Sequence, residues 1–294
     1  MIRYTCSRQQ LESELETESP GWLADTAQRT AKFVAAQKFS ESKSIWSRVK
    51  PVYMRRQGGQ KCAFCERKLE SQEFGAGEQA VEHFRPKGRV SAWKVPAQVK
   101  AKNIAVAAVP ASQNGYYWLA YHPFNYTAAC HPCNTSLKGD RFPIAGQYAA
   151  AGDPTDLLAE QPLLIYPLGD FDDDPESLLE FNGASPVPKH PSGTPFDRAF
   201  VTIEFFHLDD AVGRGNLFKE RARIICALQG ALDVLAGGPT LDRKTRAESL
   251  LQRATRDDSP HANCARSFLR LAKADPAAAA RIADQAAKLD ASSS

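Results

Sequence analysis

Two CxxC pairs, Cys62/Cys65 and Cys130/Cys133, stand with 64 residues between them in a chain of 294. A CxxC turn presents two sulfurs on one tight loop, and two such turns supply the four thiolates that tetrahedral Zn²⁺ prefers at ~2.3 Å. The spacing predicts a metal that ties together the ends of an intervening module, longer than a simple zinc ribbon. A four-thiolate site has no open coordination position, so this zinc is expected to be structural. Cys6, Cys226 and Cys264 remain, and they read as buried small hydrophobes or free thiols.

Paired CxxC turns suit a reducing compartment better than a disulfide framework. No apolar run approaches the roughly 20 residues needed to span a bilayer, and the N-terminus lacks the apolar stretch of a signal peptide. The expectation is a cytoplasmic chain with no membrane partner. Its hydrophobic content of 43% leaves room for a sizeable core. The net charge of +3 says little, but its distribution is uneven. Residues 44–94 carry eleven Lys and Arg against five Glu, Glu73 and Glu78 among them, whereas residues 142–188 carry nine acids and no Lys or Arg. A basic half beside an acidic insert fits a polyanion such as nucleic acid, although solvated loops and helix faces would look the same.

Residues 9–38 read as helical, and a second helix is expected from Glu41 to Arg56, with Pro51 as a kink or break and Gly58-Gly59 as its end. The stretch from Asn103 to His122 is apolar and aromatic and reads as a strand or a buried loop. PLLIYP (162–167) and FVTIEFF (200–206) look like short β segments. The C-terminal third reads as helical: from Asn216, a candidate N-cap, then 241–255, 261–273 and an Ala-rich helix to Asp290, with Ser292–Ser294 a frayed end. The organisation expected is an N-terminal helical segment (1–58), a knuckle-bounded core (59–150), an acidic insert with short strands (151–215) and a C-terminal helical region (216–294).

The chemistry falls between the knuckles. Hydrolysing a phosphodiester needs a base to deprotonate water, positive charge near the phosphate, and in-line geometry. His83 has a side chain suited to the first role near neutrality. Glu82 beside it, and Asn134 directly after the second CxxC, offer hard oxygens that suit Mg²⁺ or Mn²⁺. With so few protein oxygens, such a cation would keep several waters and bind well only with phosphate present.

Four segments carry a resemblance: CAFCE (62–66), VEHFRPKG (81–88), YYWLAYHPFNYTAAC (116–130) and CNTSLKGDRFP (133–143). Together they resemble the zinc-knuckle HNH endonucleases, and most closely the PtuB-like effectors of Septu and retron-associated anti-phage systems. The likeness spans about residues 40–145 and extends more loosely through 160–183 and 200–223. It implies an α+β protein with a ββα-metal (HNH, His-Me finger) core, stapled by zinc on Cys62, Cys65, Cys130 and Cys133 and flanked by helices. By motif position His83 is the general base and Glu82, in place of the commoner Asp, is a metal ligand. Asn125 is the middle Asn that braces the loop carrying the base. Asn134 stands where the last His of the motif usually sits, as second ligand to a catalytic Mg²⁺ or Mn²⁺. The resemblance also implies DNA as substrate, with RNA left open, and a PtuA-like ATPase partner. The acidic insert, residues 170–176 above all, and the C-terminal helices are candidate docking surfaces for that partner.

Arg85, Lys87 and Lys138 are candidate phosphate contacts, with Lys138 alternatively snorkelling on a helix surface. His131 is a rival metal ligand, although a knuckle turn points such a side chain to solvent. His122 reads as packed or as a phosphate contact, and Tyr116, Tyr117 and Trp118 as core aromatics or base-stacking ones. Two other functions fit the same cysteines: a catalytically inactive zinc-stapled adaptor that binds nucleic acid, and a stand-alone modification-dependent restriction endonuclease.

Overall fold

The computed structural model describes residues 1–58, 60–70, 79–110 and 114–291; Gly59, Glu73, Glu78 and Ser292–Ser294 lie outside them. The described chain is a mixed α+β structure. Ser7 opens α1 (Arg8–Glu18) through a capping box, its hydroxyl accepting from the Gln10 N–H and the Gln10 amide oxygen accepting from the Ser7 N–H. The helical stretch expected over 9–38 is two helices, because the turn at Ser19-Pro20-Gly21 ends α1 before α2 (Trp22–Ala36) begins. Pro51 does not break a helix begun at Glu41. It lies in the first turn of α3 (Lys50–Arg56), where a missing N–H costs nothing, after a 3₁₀ turn at Trp46–Val49.

An antiparallel ribbon forms the centre of the molecule. β1 (Gln79–His83) pairs with β2 (Tyr126–Cys130), placing Glu82 opposite Thr127 and His83 opposite Tyr126. Between them the described residues make the short α4 (Ala97–Ala101) and no strand; the aromatic half of 103–122 is buried loop around a 3₁₀ turn at Tyr117–Leu119. β2 runs directly into a π-helical turn, Pro132–Lys138, closed by a 2.7 Å bond from the Gly139 N–H to the Asn134 carbonyl. Gly139 leaves the turn at φ +53°, ψ −127°, a conformation that side chains disfavour. π-turns are rare and recur at functional sites. Ala128 in β2 is also held from outside the ribbon. The buried Gln57 amide accepts from its N–H at 2.6 Å and donates to its carbonyl at 2.8 Å, acting as a one-residue strand.

Downstream, α5 (Pro175–Leu178) leads into a hairpin of β3 (Leu179–Asn182) and β4 (Ser185–Pro188). FVTIEFF is not a strand: it falls within and just beyond α6 (Gly193–Phe205), where Val201, Thr202, Ile203 and Phe205 are buried on several sides and tertiary packing overrides β propensity. PLLIYP is extended chain tied by isolated bridges, Ile144 to Pro162 and Tyr4 to Leu168. α7 (Gly215–Ala236), α8 (Leu241–Ala254), α9 (Ala262–Ala274) and α10 (Pro276–Ala291) complete the chain. Asn216 is not the N-cap of α7; Arg214 occupies that position and Asn216 lies inside the first turn.

The acids of 170–176 largely serve the fold. Asp172 and Asp173 grip the Arg198 guanidinium at 2.7 and 2.6 Å, Asp174 caps α5, and Glu176 pairs with Arg266. One apolar core runs from Met1 to Leu217 with Ala262 added, and a second joins α7, α9 and α10 through Ala222, Ile225, Phe268 and Ala283. Cys6 and Cys264 are buried free thiols and Cys226 is half-buried. Among the described residues no helix is long and apolar enough to cross a membrane.

Candidate functional site

The four knuckle cysteines converge. Their sulfurs all lie within 4.8 Å of one another and are buried, with Cys65 and Cys130 Sγ 3.8 Å apart. Four sulfurs at ~2.3 Å around a tetrahedral ion stand about 3.8 Å apart, so the cluster fits a metal such as zinc. The first knuckle is a tight turn: the Lys61–Lys68 bridge closes it, the Cys62 N–H bonds the Arg67 carbonyl at 3.0 Å, and Glu66 takes a left-handed φ of +60°. Cys130 ends β2 and Cys133 begins the π-turn, so the cluster locks the ribbon, the knuckle and that turn together. Arg214 supports it in a way the spacing did not reveal: its guanidinium lies 3.7 and 3.8 Å from Cys133 Sγ, a cation beside a site that is anionic when metal-bound. His131 points into solvent and does not join the sulfurs.

On the other side of the π-turn, Glu82, His83 and Asn134 line one cavity of about 450 Å³ together with Lys87, Arg89 and Phe39. The ribbon and the π-turn thus bring together the residues that the sequence pattern singled out, although 50 residues lie between His83 and Asn134.

His83 is held on three sides. Its ring stands edge-on to Trp46 and Tyr126, each at 4.9 Å between centroids, and Nε2 lies 3.1 Å from the Ala120 carbonyl. A carbonyl only accepts, so Nε2 carries the proton and Nδ1 keeps its lone pair. Burial, with the Lys87 and Lys138 ammoniums nearby, holds the imidazole well below the ordinary histidine range, against a smaller upward pull from the Ala120 bond. The ring is therefore neutral at physiological pH, with Nδ1 unprotonated.

Asn125 braces the loop after β1. Fully buried, it accepts from the Arg85 N–H at 2.8 Å and donates to the Arg85 and Leu119 carbonyls, both at 3.0 Å. The same side chain thus spans the strand end that carries His83 and the segment that supplies the Ala120 carbonyl. Gly115 allows that segment to approach: a Cβ there would meet Arg89 N at 2.6 Å and Pro86 O at 2.7 Å.

Two of the three candidate phosphate contacts are committed elsewhere. The buried Arg85 bonds Glu160 at 2.8 Å beneath Tyr116, whose hydroxyl donates to the same carboxylate at 2.6 Å. Lys138, with no exposed surface, pairs with Glu82 at 2.6 Å and donates to the His83 carbonyl at 2.8 Å. Its four-carbon stem points inward instead of snorkelling. Lys87 does line the cavity, with Nζ 4.5 Å from the Trp46 ring centroid. Arg89, which the sequence pattern did not mark as a site residue, lines it too and pairs with Asp140. His122 is structural: Nδ1 accepts the Phe124 N–H and Nε2 donates to Asp153. Tyr116 and Trp118 are engaged in packing, the latter donating to the Gly152 carbonyl.

The expected Mg²⁺ or Mn²⁺ does not fit these residues. Glu82 is already ion-paired, burial raises its carboxyl pKa despite Lys138 and Lys87, and the second proposed ligand is a neutral amide. Two ammonium groups would face any divalent ion placed on that carboxylate. Comparison with protein-family models, with curated proteins and with solved structures gives no match to this chain.

Proposed function

We propose that this protein is an HNH-type endonuclease that hydrolyses phosphodiester bonds in DNA, its ββα core stapled by a structural zinc ion on Cys62, Cys65, Cys130 and Cys133. The observation that carries the reading is the state of His83: a neutral imidazole, Nε2 anchored on a backbone carbonyl, on the wall of a cavity that also holds Lys87 and Arg89. A general base is useful only if its free nitrogen is unprotonated and its orientation is fixed, and both hold here.

In the proposed step a water oxygen bonds to phosphorus while its proton passes to Nδ1 of His83. The P–O bond to the departing 3′ oxygen breaks, its electron pair stays on that oxygen, and a solvent proton neutralises it. The imidazolium then returns its proton to solvent. Lys87 and Arg89 hold the phosphate, and their contacts are indifferent to sequence. Asn125 fixes the base, and the Lys138 bond to the His83 carbonyl steadies the strand end.

By the family likeness, the enzyme acts in anti-phage defence under the control of a PtuA-like ATPase. The acids of 170–176 are poor candidates for the docking surface, because their exchange would remove fold contacts. Incubation with supercoiled plasmid, linear duplex and RNA, alone and with the ATPase, tests the reading. Nicked plasmid is the expected product. Retarded but intact DNA in every arm would favour the adaptor, and cutting confined to methylated DNA without a partner would favour the modification-dependent enzyme.

A further inference from the structure

The cavity that holds His83 has its own cations. Behind the cavity wall, Lys138 at the end of the π-turn has its entire side chain buried, and its ammonium spends two bonds on β1, 2.6 Å to Glu82 Oε1 and 2.8 Å to the His83 carbonyl. Lys87, on the turn after β1, lies over Trp46 at 4.5 Å and Phe39 at 5.5 Å and lines the cavity. One carboxylate therefore faces two ammonium groups, and the nearer one is already bonded to it.

We propose that Lys138 occupies the position at which Glu82 would hold a divalent ion, so that this site turns over phosphodiesters with the side-chain cations of Lys87 and Arg89 in place of Mg²⁺ or Mn²⁺. The inference rests on the nuclease reading above for its chemistry, but its central claim, that Glu82 binds no divalent cation, stands on geometry alone. A hard dication needs oxygen donors and gains most from carboxylates that no other cation has neutralised. Here a buried ion pair would first have to break, and a lysine left buried without its partner is strongly penalised. The positive charge that must meet the phosphate comes from Lys87, which presents a point charge on an aromatic shelf, with Arg89 beside it.

Two measurements on the zinc-loaded protein decide the matter. Mn²⁺ is titrated by electron paramagnetic resonance against the parent chain and Glu82→Gln, with and without a short DNA duplex whose own Mn²⁺ binding is subtracted. Turnover is not required. The proposal expects no saturable Mn²⁺ binding below about 1 mM and no difference between the two proteins. Saturable binding that Glu82→Gln abolishes overturns it, whether or not the protein cuts DNA. Plasmid nicking is then followed in metal-depleted buffer with EDTA, the zinc content being checked after the incubation. Rates within about twofold of those in Mg²⁺ support the proposal, and a dependence on added Mg²⁺ or Mn²⁺ of more than about tenfold refutes it while leaving the nuclease reading intact. Absence of nicking in every buffer would instead count against the nuclease reading, and the Mn²⁺ titration would still decide whether Lys138 closes the site. Lys138→Met, if it folds, is expected to acquire Mn²⁺ binding that the parent lacks.

Discussion

The cysteine cluster and the His83 cavity share one π-turn, through the consecutive residues Cys133 and Asn134, yet they are built by different rules. The cluster is four residues of one kind on two tight turns, so local spacing brings them in pairs and a single long-range closure completes the set. The cavity draws on at least five separated segments: Phe39, the end of β1, the turn at Lys87–Arg89, the carbonyl of Ala120, and the π-turn itself. The first is specified by ligand chemistry and the second by packing. A staple of the first kind holds still the ribbon on which a site of the second kind can be arranged.

That contrast orders the expected effects of perturbation. The largest belongs to the cluster. Removing the metal, or Cys130→Ser, should abolish the cooperative thermal transition, since binding to such four-ligand sets is worth on the order of 10 kcal/mol and is largely folding free energy. Circular dichroism melts with parallel metal analysis, expected at about one zinc per chain, check this. An unchanged melt after complete metal loss would place stability elsewhere.

Next comes the buried pair. Lys138→Met should cost about 3–5 kcal/mol because it leaves the Glu82 carboxylate buried without a partner, and adding Glu82→Gln should restore most of it. Denaturant titration of both single variants and the double supplies the coupling energy. Losses of the two single variants that simply add in the double would mean that the 2.6 Å contact carries little energy.

Asn125→Ala should lose about 2–4 kcal/mol, having removed three buried hydrogen bonds, whereas Asn134→Ala on the open cavity wall should melt like the parent. If the two variants melt alike, Asn125 is not the clamp described.

The smallest effect is in pH. His83 is held well below its ordinary value, so the neutral base survives as pH falls through the usual histidine range, and nicking should stay flat from pH 8 to about 6. The sign for stability is the same: a depressed folded-state pKa contributes stability that is present above the unfolded value of ~6.5 and fades as pH falls toward the folded one. A half-maximal rate near 6.5 would show an ordinary, exposed imidazole.

Legibility follows the same division. Cys62, Cys65, Cys130 and Cys133 could be paired by spacing because each CxxC is a local turn, and β1 and β2 were implied only through the family likeness. The C-terminal helices were legible as separate segments, and 241–255, 261–273 and the Ala-rich stretch to Asp290 each fall on one helix. FVTIEFF misled because β-branched residues buried on several sides look alike in a strand and a core helix. Arg85 and Lys138 read as phosphate contacts because sequence shows charge but not direction. Only the fold reveals that Glu160 and Glu82 wait for them underground. Trp46, Tyr126 and the Ala120 carbonyl, which set the orientation and tautomer of His83, carried no motif at all.

The most direct test of the account compares the parent with His83→Ala, prepared with equal zinc content and shown by circular dichroism to be folded, on supercoiled plasmid at neutral pH. Loss of a positioned base predicts a fall in nicking rate of about 10²–10⁴-fold with zinc retained. A variant that nicks as fast as the parent would contradict the assignment of this cavity as the site of hydrolysis.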